Sequence, residues 1–139
     1  RWDYDLLNEL VNQVLEGAEI IALHKGRYHQ GASGLLLDSG AFVAALEHAT
    51  GKQAIVVGKP NPTFFELASN TFGCTPDELL MFGDDLINDI GGAMQMGMHA
   101  VLVQTGKYRK GLVEASTIQP DGCIPSIKEL PAYLQNNII

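Results

Sequence analysis

Cysteine is scarce. Cys74 and Cys123 are the only two in 139 residues, too few for a disulfide framework, and neither has neighbours at zinc-ligand spacing. A reducing, cytoplasmic setting is the expectation. Basic charge is also short: nine Lys and Arg stand against sixteen Asp and Glu, a net charge of −7. That balance argues against non-specific nucleic-acid binding, which needs a basic face, so no nucleic-acid partner is expected. No apolar run approaches the ~20 residues of a bilayer span, so no membrane partner is expected. The opening, Arg1-Trp2-Asp3-Tyr4-Asp5, lacks a signal-peptide layout and has no Met, so trimming or a piece of a longer protein is expected. Internal repeats and low-complexity stretches are absent too. What is there, 46% hydrophobic and 18% charged residues, describes a globular chain about one domain long.

The chain is organised around Leu79-Leu80-Met81-Phe82-Gly83-Asp84-Asp85-Leu86-Ile87-Asn88-Asp89-Ile90. Four apolar residues running into a glycine read as a strand buried on both faces. Ile87, Ile90, Ala93 and Met94 then recur at helical spacing until Gly97. Three acids therefore sit where a strand hands over to a helix, and in open α/β sheets ligands bind at that end of the strands. Like charges about 4 Å apart cost roughly 4 kcal/mol at an effective dielectric near 20. A hard cation would relieve that, and Mg²⁺ suits one or two carboxylates plus phosphate oxygens. The alternative is that Asp84 or Asp85 caps the helix and Asp89 complements its positive end.

Upstream, Leu6, Leu7, Leu10, Val11, Val14 and Leu15 form one face of an amphipathic helix over 4–15, with Asp3 or Asp5 as N-cap and Gly17 as its end. The Asp3-Tyr4-Asp5 pair has no strand before it and reads as capping. Ile20 to Leu23 predicts a strand, His24 to Gly34 a polar loop, and Leu35 to Leu37 a short apolar run. Ala41 to Thr50 predicts a helix and Ala54 to Val57 a buried strand. Pro62 opens a helix that Gly73 closes. His99 to Val103 predicts another strand, Cys123-Ile124 an edge, and Ser126 to Leu134 the last helix. Strands alternating with helices imply a parallel sheet with right-handed crossovers. A boundary is expected near Ser39-Gly40, between a small α+β piece and a β/α half.

Gly58-Lys59-Pro60-Asn61-Pro62 follows the second of these strands directly. Two prolines restrict the backbone there, so parallel pairing would deliver the Lys59 ammonium to the sheet end that carries Asp84. A lysine beside carboxylates and a phosphate would stabilise a phosphoryl group in transfer.

With Gly58-Lys59-Pro60, Gly83-Asp84 with Asp89-Ile90, and Leu102-Val103-Gln104-Thr105-Gly106-Lys107 on the page, the chain resembles the haloacid dehalogenase-like hydrolase superfamily. Within it, the match is to the subfamily with a large cap before the lysine motif. The loop His24-Lys25-Gly26-Arg27-Tyr28 looks most like the phospholysine phosphohistidine inorganic pyrophosphate phosphatase group. The resemblance implies an α/β fold: residues 1–39 as the C-terminal part of an α+β cap, and 40–139 as the parallel-sheet second half of a Rossmann-like catalytic core. It implies Lys59 and Asp89 as catalytic, Asp84 and Asp89 as holding Mg²⁺, and Asp85 as supporting them from behind. His24, Lys25 and Arg27 would face the substrate, a phosphorylated small molecule. The family's nucleophilic aspartate and its phosphate-binding Thr or Ser have no match here. The missing N-terminal half is expected to carry them, the complete protein to be a phosphatase acting through an aspartyl-phosphate, and the fragment alone to be inactive.

Other features read as structural. His48 and His99 belong to a helix and a strand start, and Met94, Met96 and Met98 to core filling. Gly91 and Gly92 suggest close packing on the sheet. Lys107, Arg109 and Lys110 read as a solvated loop, while Thr105-Gly106 could close over the site. The rival class is a receiver-like signalling domain, which orders acid pair, acceptor aspartate, then lysine; here Lys59 comes first. A remnant acting by association is a third class, and exposed sheet edges would favour pairing with a second copy.

Overall fold

The computed structural model describes residues 2–137. It forms two compact units, Arg1–Gly58 and Lys59–Ile139. By packing, the helix from Ser39 groups with the residues before it.

In the first unit, helix α1 (Tyr4–Leu15) is capped by Asp3, whose side chain accepts from the Leu6 amide. Its apolar stripe is narrower than the sequence suggests. Leu7, Leu10 and Val11 pack against the buried cluster of Val14, Ile20 and Leu46, whereas Leu15 is exposed. Strand β1 (Ile21–Ala22) pairs in parallel with β4 (Ile55–Val56). The supposed polar loop contains β2 (Tyr28–Gly31), which pairs antiparallel with β3 (Gly34–Leu37). Helix α2 (Ser39–Thr50) is capped by Asp38 and ends at Gly51 in the left-handed conformation. Ala54 to Val57 is not the buried strand expected. Ile55 and Val57 are exposed, because β4 has β1 as its one strand neighbour among the described residues.

In the second unit, α3 (Pro62–Phe72) begins at Pro62 behind an Asn61 cap and ends at Gly73. Strands β5 (Leu80–Gly83), β6 (His99–Val103) and β7 (Gly122–Ile124) form a parallel sheet in that order. Leu80 lies opposite His99 and Val101 opposite Gly122. The central strand β6 is the one buried on both faces. Ala100 through Val103 are sealed, while Phe82 in β5 is 41% exposed, which corrects the expectation for Leu79–Phe82. β5 has a neighbour on one side only among the described residues, and an edge strand keeps one flank open.

The crossover from β5 to β6 is a π-helical turn (Leu86–Gly91) continued by α4 (Gly92–Gln95), not one uniform α-helix. Two short helices, α5 (Lys110–Glu114) and α6 (Leu130–Asn137), complete the unit. Its main core joins Phe65, Ile90, Ala93, Met98, Ala100 and Leu102, with Met94 and Met96 packed against it. The glycine pair does mark close packing, but not on the sheet. A Cβ on Gly92 would lie 2.7 Å from the buried Phe65 ring and 3.0 Å from Pro60, and one on Gly91 would meet Ile118. Gly92→Val should therefore overpack a ring that has nowhere to move. The expected loss is about 1–3 kcal/mol of stability, read as a lower urea midpoint.

Candidate functional site

The C-terminal end of β5 delivers Gly83, Asp84 and Asp85 into the turn that starts the π-helix, and each acid has a different partner. Asp85 is the helix cap: its Oδ1 accepts from the amides of Ile87 at 3.2 Å and Asn88 at 3.0 Å. Its Oδ2 takes the Asn88 side-chain amide at 2.8 Å and the Lys107 ammonium at 3.1 Å. The capping alternative is thus true of Asp85. Asp89 faces back along the π-helix and is 6% exposed. Its Oδ1 lies 2.7 Å from Lys59 Nζ, and its Oδ2 accepts from the Asp85 amide at 3.2 Å. Asp84 Oδ2 accepts from the Lys107 backbone N–H at 2.6 Å.

Lys59 opens the second unit, two residues before the Asn61 cap of α3. Its ammonium also lies 5.7 Å from the centre of the Phe64 ring, a favourable cation–π placement. Proximity to the acids does not arise by the route expected. β4 pairs with β1 and not with β5; the contact is made inside the second unit, between the approach to α3 and the β5 turn. Two glycines let the carboxylates come close. A Cβ on Gly83 would run into the Asp89 carboxylate, and one on Gly106 into that of Asp84. Gly106 also has φ +51°, a conformation that favours glycine.

The structure therefore brings Lys59, Asp84, Asp85 and Asp89 to one turn and adds Lys107, for which the sequence predicts a solvated loop. The available signal was position. Thr105-Gly106-Lys107 follows β6, the strand paired with β5, so both loops leave the same end of the sheet. The other three candidates belong to the first unit. Lys25 Nζ is 2.5 Å from Glu47 Oε2, the His24 ring stands 3.3 Å from Ser39 Oγ and 3.8 Å from Asp38, and Arg27 is exposed, its backbone carbonyl accepting from the Asp38 amide.

Among the described residues, no group of three or more His, Cys, Asp or Glu is arranged to hold a metal ion by itself. The donor chemistry nevertheless fits a hard cation. Asp84 and Asp89 offer carboxylate oxygens, and Mg²⁺ commonly takes only one or two protein carboxylates and completes its shell with water and substrate oxygens. Asp84 commits one oxygen to Lys107, and its Oδ1 has no hydrogen-bond partner among the described residues.

Burial opposes charge on Asp85, but hydrogen bonds from the Asn88 backbone and side chain and the Lys107 ammonium outweigh it, holding the carboxyl below the usual aspartate range. A lowered folded-state value contributes stability above the ordinary aspartate pKa, near 3.9, that is lost as pH falls through the folded value. Urea midpoints measured from pH 7 down to pH 3 should fall at the acid end in the wild type, and Asp85→Asn should flatten that fall. Lys59→Met should cost about 2–3 kcal/mol at pH 7, because it leaves the Asp89 charge buried and unpaired. The double variant with Asp89→Asn should recover part of that loss in the same denaturation assay.

The family model described as "HAD-hyrolase-like" matches residues 56–130. A haloacid dehalogenase-like hydrolase domain-containing protein 2 from Homo sapiens is 51% identical over 106 residues, covering 76% of this chain and 41% of its own. The phospholysine phosphohistidine inorganic pyrophosphate phosphatase of Mus musculus is 44% identical over 126 residues, 91% of this chain and 45% of its own. Among solved structures, a 4-nitrophenylphosphatase from Thermotoga maritima superposes with a TM-score of 0.84 at 28% identity, covering 94% of this chain and 51% of that one. This chain spans less than half the length of these two curated relatives. The mixed α/β fold with parallel sheets is the one these structural neighbours share. With the family model covering more than half of its residues, the chain belongs to the haloacid dehalogenase-like hydrolases.

Proposed function

We propose that this chain is the second half of the catalytic core, preceded by the C-terminal part of a cap, of a Mg²⁺-dependent phosphatase acting on a phosphorylated small molecule. The observation that carries the reading is the 2.7 Å pairing of Lys59 with Asp89 beside Asp84. A cation and carboxylates are concentrated where a parallel strand ends, which is where this architecture binds ligands. Relatives named as 4-nitrophenylphosphatase and as phospholysine phosphohistidine inorganic pyrophosphate phosphatase support the reaction class.

In this reading Asp84 and Asp89 hold the cation. When bound, Mg²⁺ would neutralise phosphoryl oxygens and lower the cost of bringing a dianion to an acidic turn. Lys59 bridges Asp89 and the phosphate, so its charge is shared between a fixed carboxylate and the group in transfer. Asp85 caps the π-helix and keeps the turn in shape. The nucleophile, an aspartate that forms an aspartyl-phosphate, belongs to a half of the protein outside this chain. His24, Lys25 and Arg27 are the candidates for meeting the rest of the substrate. Lys25 would have to leave Glu47 to do so, and His24 its contacts with Ser39 and Asp38. The reading includes a cytoplasmic setting, supported by two free cysteines. No helix among the described residues is long and apolar enough to cross a membrane.

The test is hydrolysis of 4-nitrophenyl phosphate with and without Mg²⁺. The 139-residue chain alone should show none, and the longer protein that includes the preceding half should turn over only with the metal. In that longer protein Lys59→Ala and Asp84→Asn should each lower kcat by about 10²- to 10³-fold. Turnover by the chain alone would refute the absent nucleophile, and an active Asp84→Asn would refute the metal assignment.

A further inference from the structure

One residue touches both consecutive acids of the β5 turn, and it does so with two different groups. The Lys107 backbone N–H donates to Asp84 Oδ2 at 2.6 Å, and the Lys107 ammonium donates to Asp85 Oδ2 at 3.1 Å. The side chains of this second pair are only 24% and 17% exposed, so water and salt screen it less than a surface pair.

We propose that Lys107 is a positioning residue that sets the direction of the Asp84 carboxylate, using Asp85 as its anchor; this rests on the reading of Asp84 as a metal ligand. A single hydrogen bond to one oxygen would leave a carboxylate free to swing. Here the donor is itself held at several points. The Tyr108 amide closes a turn onto Thr105 O at 2.9 Å. Arg109 Nη1 donates to the carbonyls of Gly106 at 2.9 Å and Tyr108 at 2.7 Å. Tyr108 packs against the core of Phe65, Ile90 and Leu102. Gly106 supplies the backbone turn and the room, since a Cβ there would strike Asp84.

The ammonium completes the arrangement by tying this loop to Asp85, which the π-helix already holds through the Ile87 and Asn88 amides. One oxygen of Asp84 is thereby engaged by the loop, and the other, which has no hydrogen-bond partner among the described residues, is left for a cation.

The test uses the 139-residue chain with Lys107→Met, Lys107→Gln and Lys107→Arg. Amide hydrogen exchange at position 107 reports the bond to Asp84 directly and needs no metal. Both neutral variants should speed exchange there by about tenfold while the amides of 99–103 keep their wild-type rates, and Lys107→Arg should restore protection. In the longer protein that includes the preceding half, Mg²⁺ titration followed by the Asp84 resonances should show an affinity about tenfold weaker in the neutral variants and near wild type in Lys107→Arg. Unchanged exchange at 107, or equal acceleration through 99–103, would overturn the proposal. A wild-type longer protein that binds no Mg²⁺ would refute the metal reading of Asp84 and leave exchange at 107 to decide whether Lys107 positions it.

Discussion

The ammonium of Lys59 neutralises an Asp89 carboxylate that is almost sealed from water, and the turn after β5 takes its shape from that pairing. A lone carboxylate at 6% exposure would pay a heavy desolvation cost. With Lys59 at 2.7 Å the charge can stay. Asp89 can then use its second oxygen to accept the Asp85 amide, which fixes the start of the π-helix. The pairing therefore joins the approach to α3, the end of β5 and the first turn of the crossover.

The remaining charges follow the same logic. Three carboxylates within six residues would repel one another if left alone. In the structure each is balanced separately: Asp89 by Lys59, Asp85 by the Lys107 ammonium together with the helix amides, and Asp84 by a backbone N–H. Gly83 and Gly106 make room for this, because a side chain at either position would collide with a carboxylate. The result is an acidic turn held together by donors placed around it.

Much of this was legible in the order of residues. Apolar spacing and caps located α1 behind Asp3 or Asp5, α2 up to Gly51, and α3 from Pro62 to Gly73. Those signals are local, because a helix satisfies its backbone within itself and its ends need particular side chains. The acidic turn after β5 was legible for the same reason. Burial of strands was not. Leu79–Phe82 and Ala54–Val57 are as apolar as β6, yet β6 alone is sealed, since burial of a strand depends on how many neighbours it has. A continuous apolar run cannot state that number. Lys107 was missed because its neighbours Arg109 and Lys110 made it look like one of a solvated cluster.

Residue types and spacing by themselves settled where the helices begin and end, that the chain alternates helix and strand, and that a lysine motif and an acidic Gly-Asp turn occur in that order. Tertiary structure alone decided which strand is central, that Gly92 exists for the sake of Phe65, and that Lys107 joins Asp84 and Asp85. The physical reason is range. Caps and helical stripes are satisfied within a few residues, whereas charge pairing and strand burial depend on which distant segments the folded backbone brings within hydrogen-bonding distance.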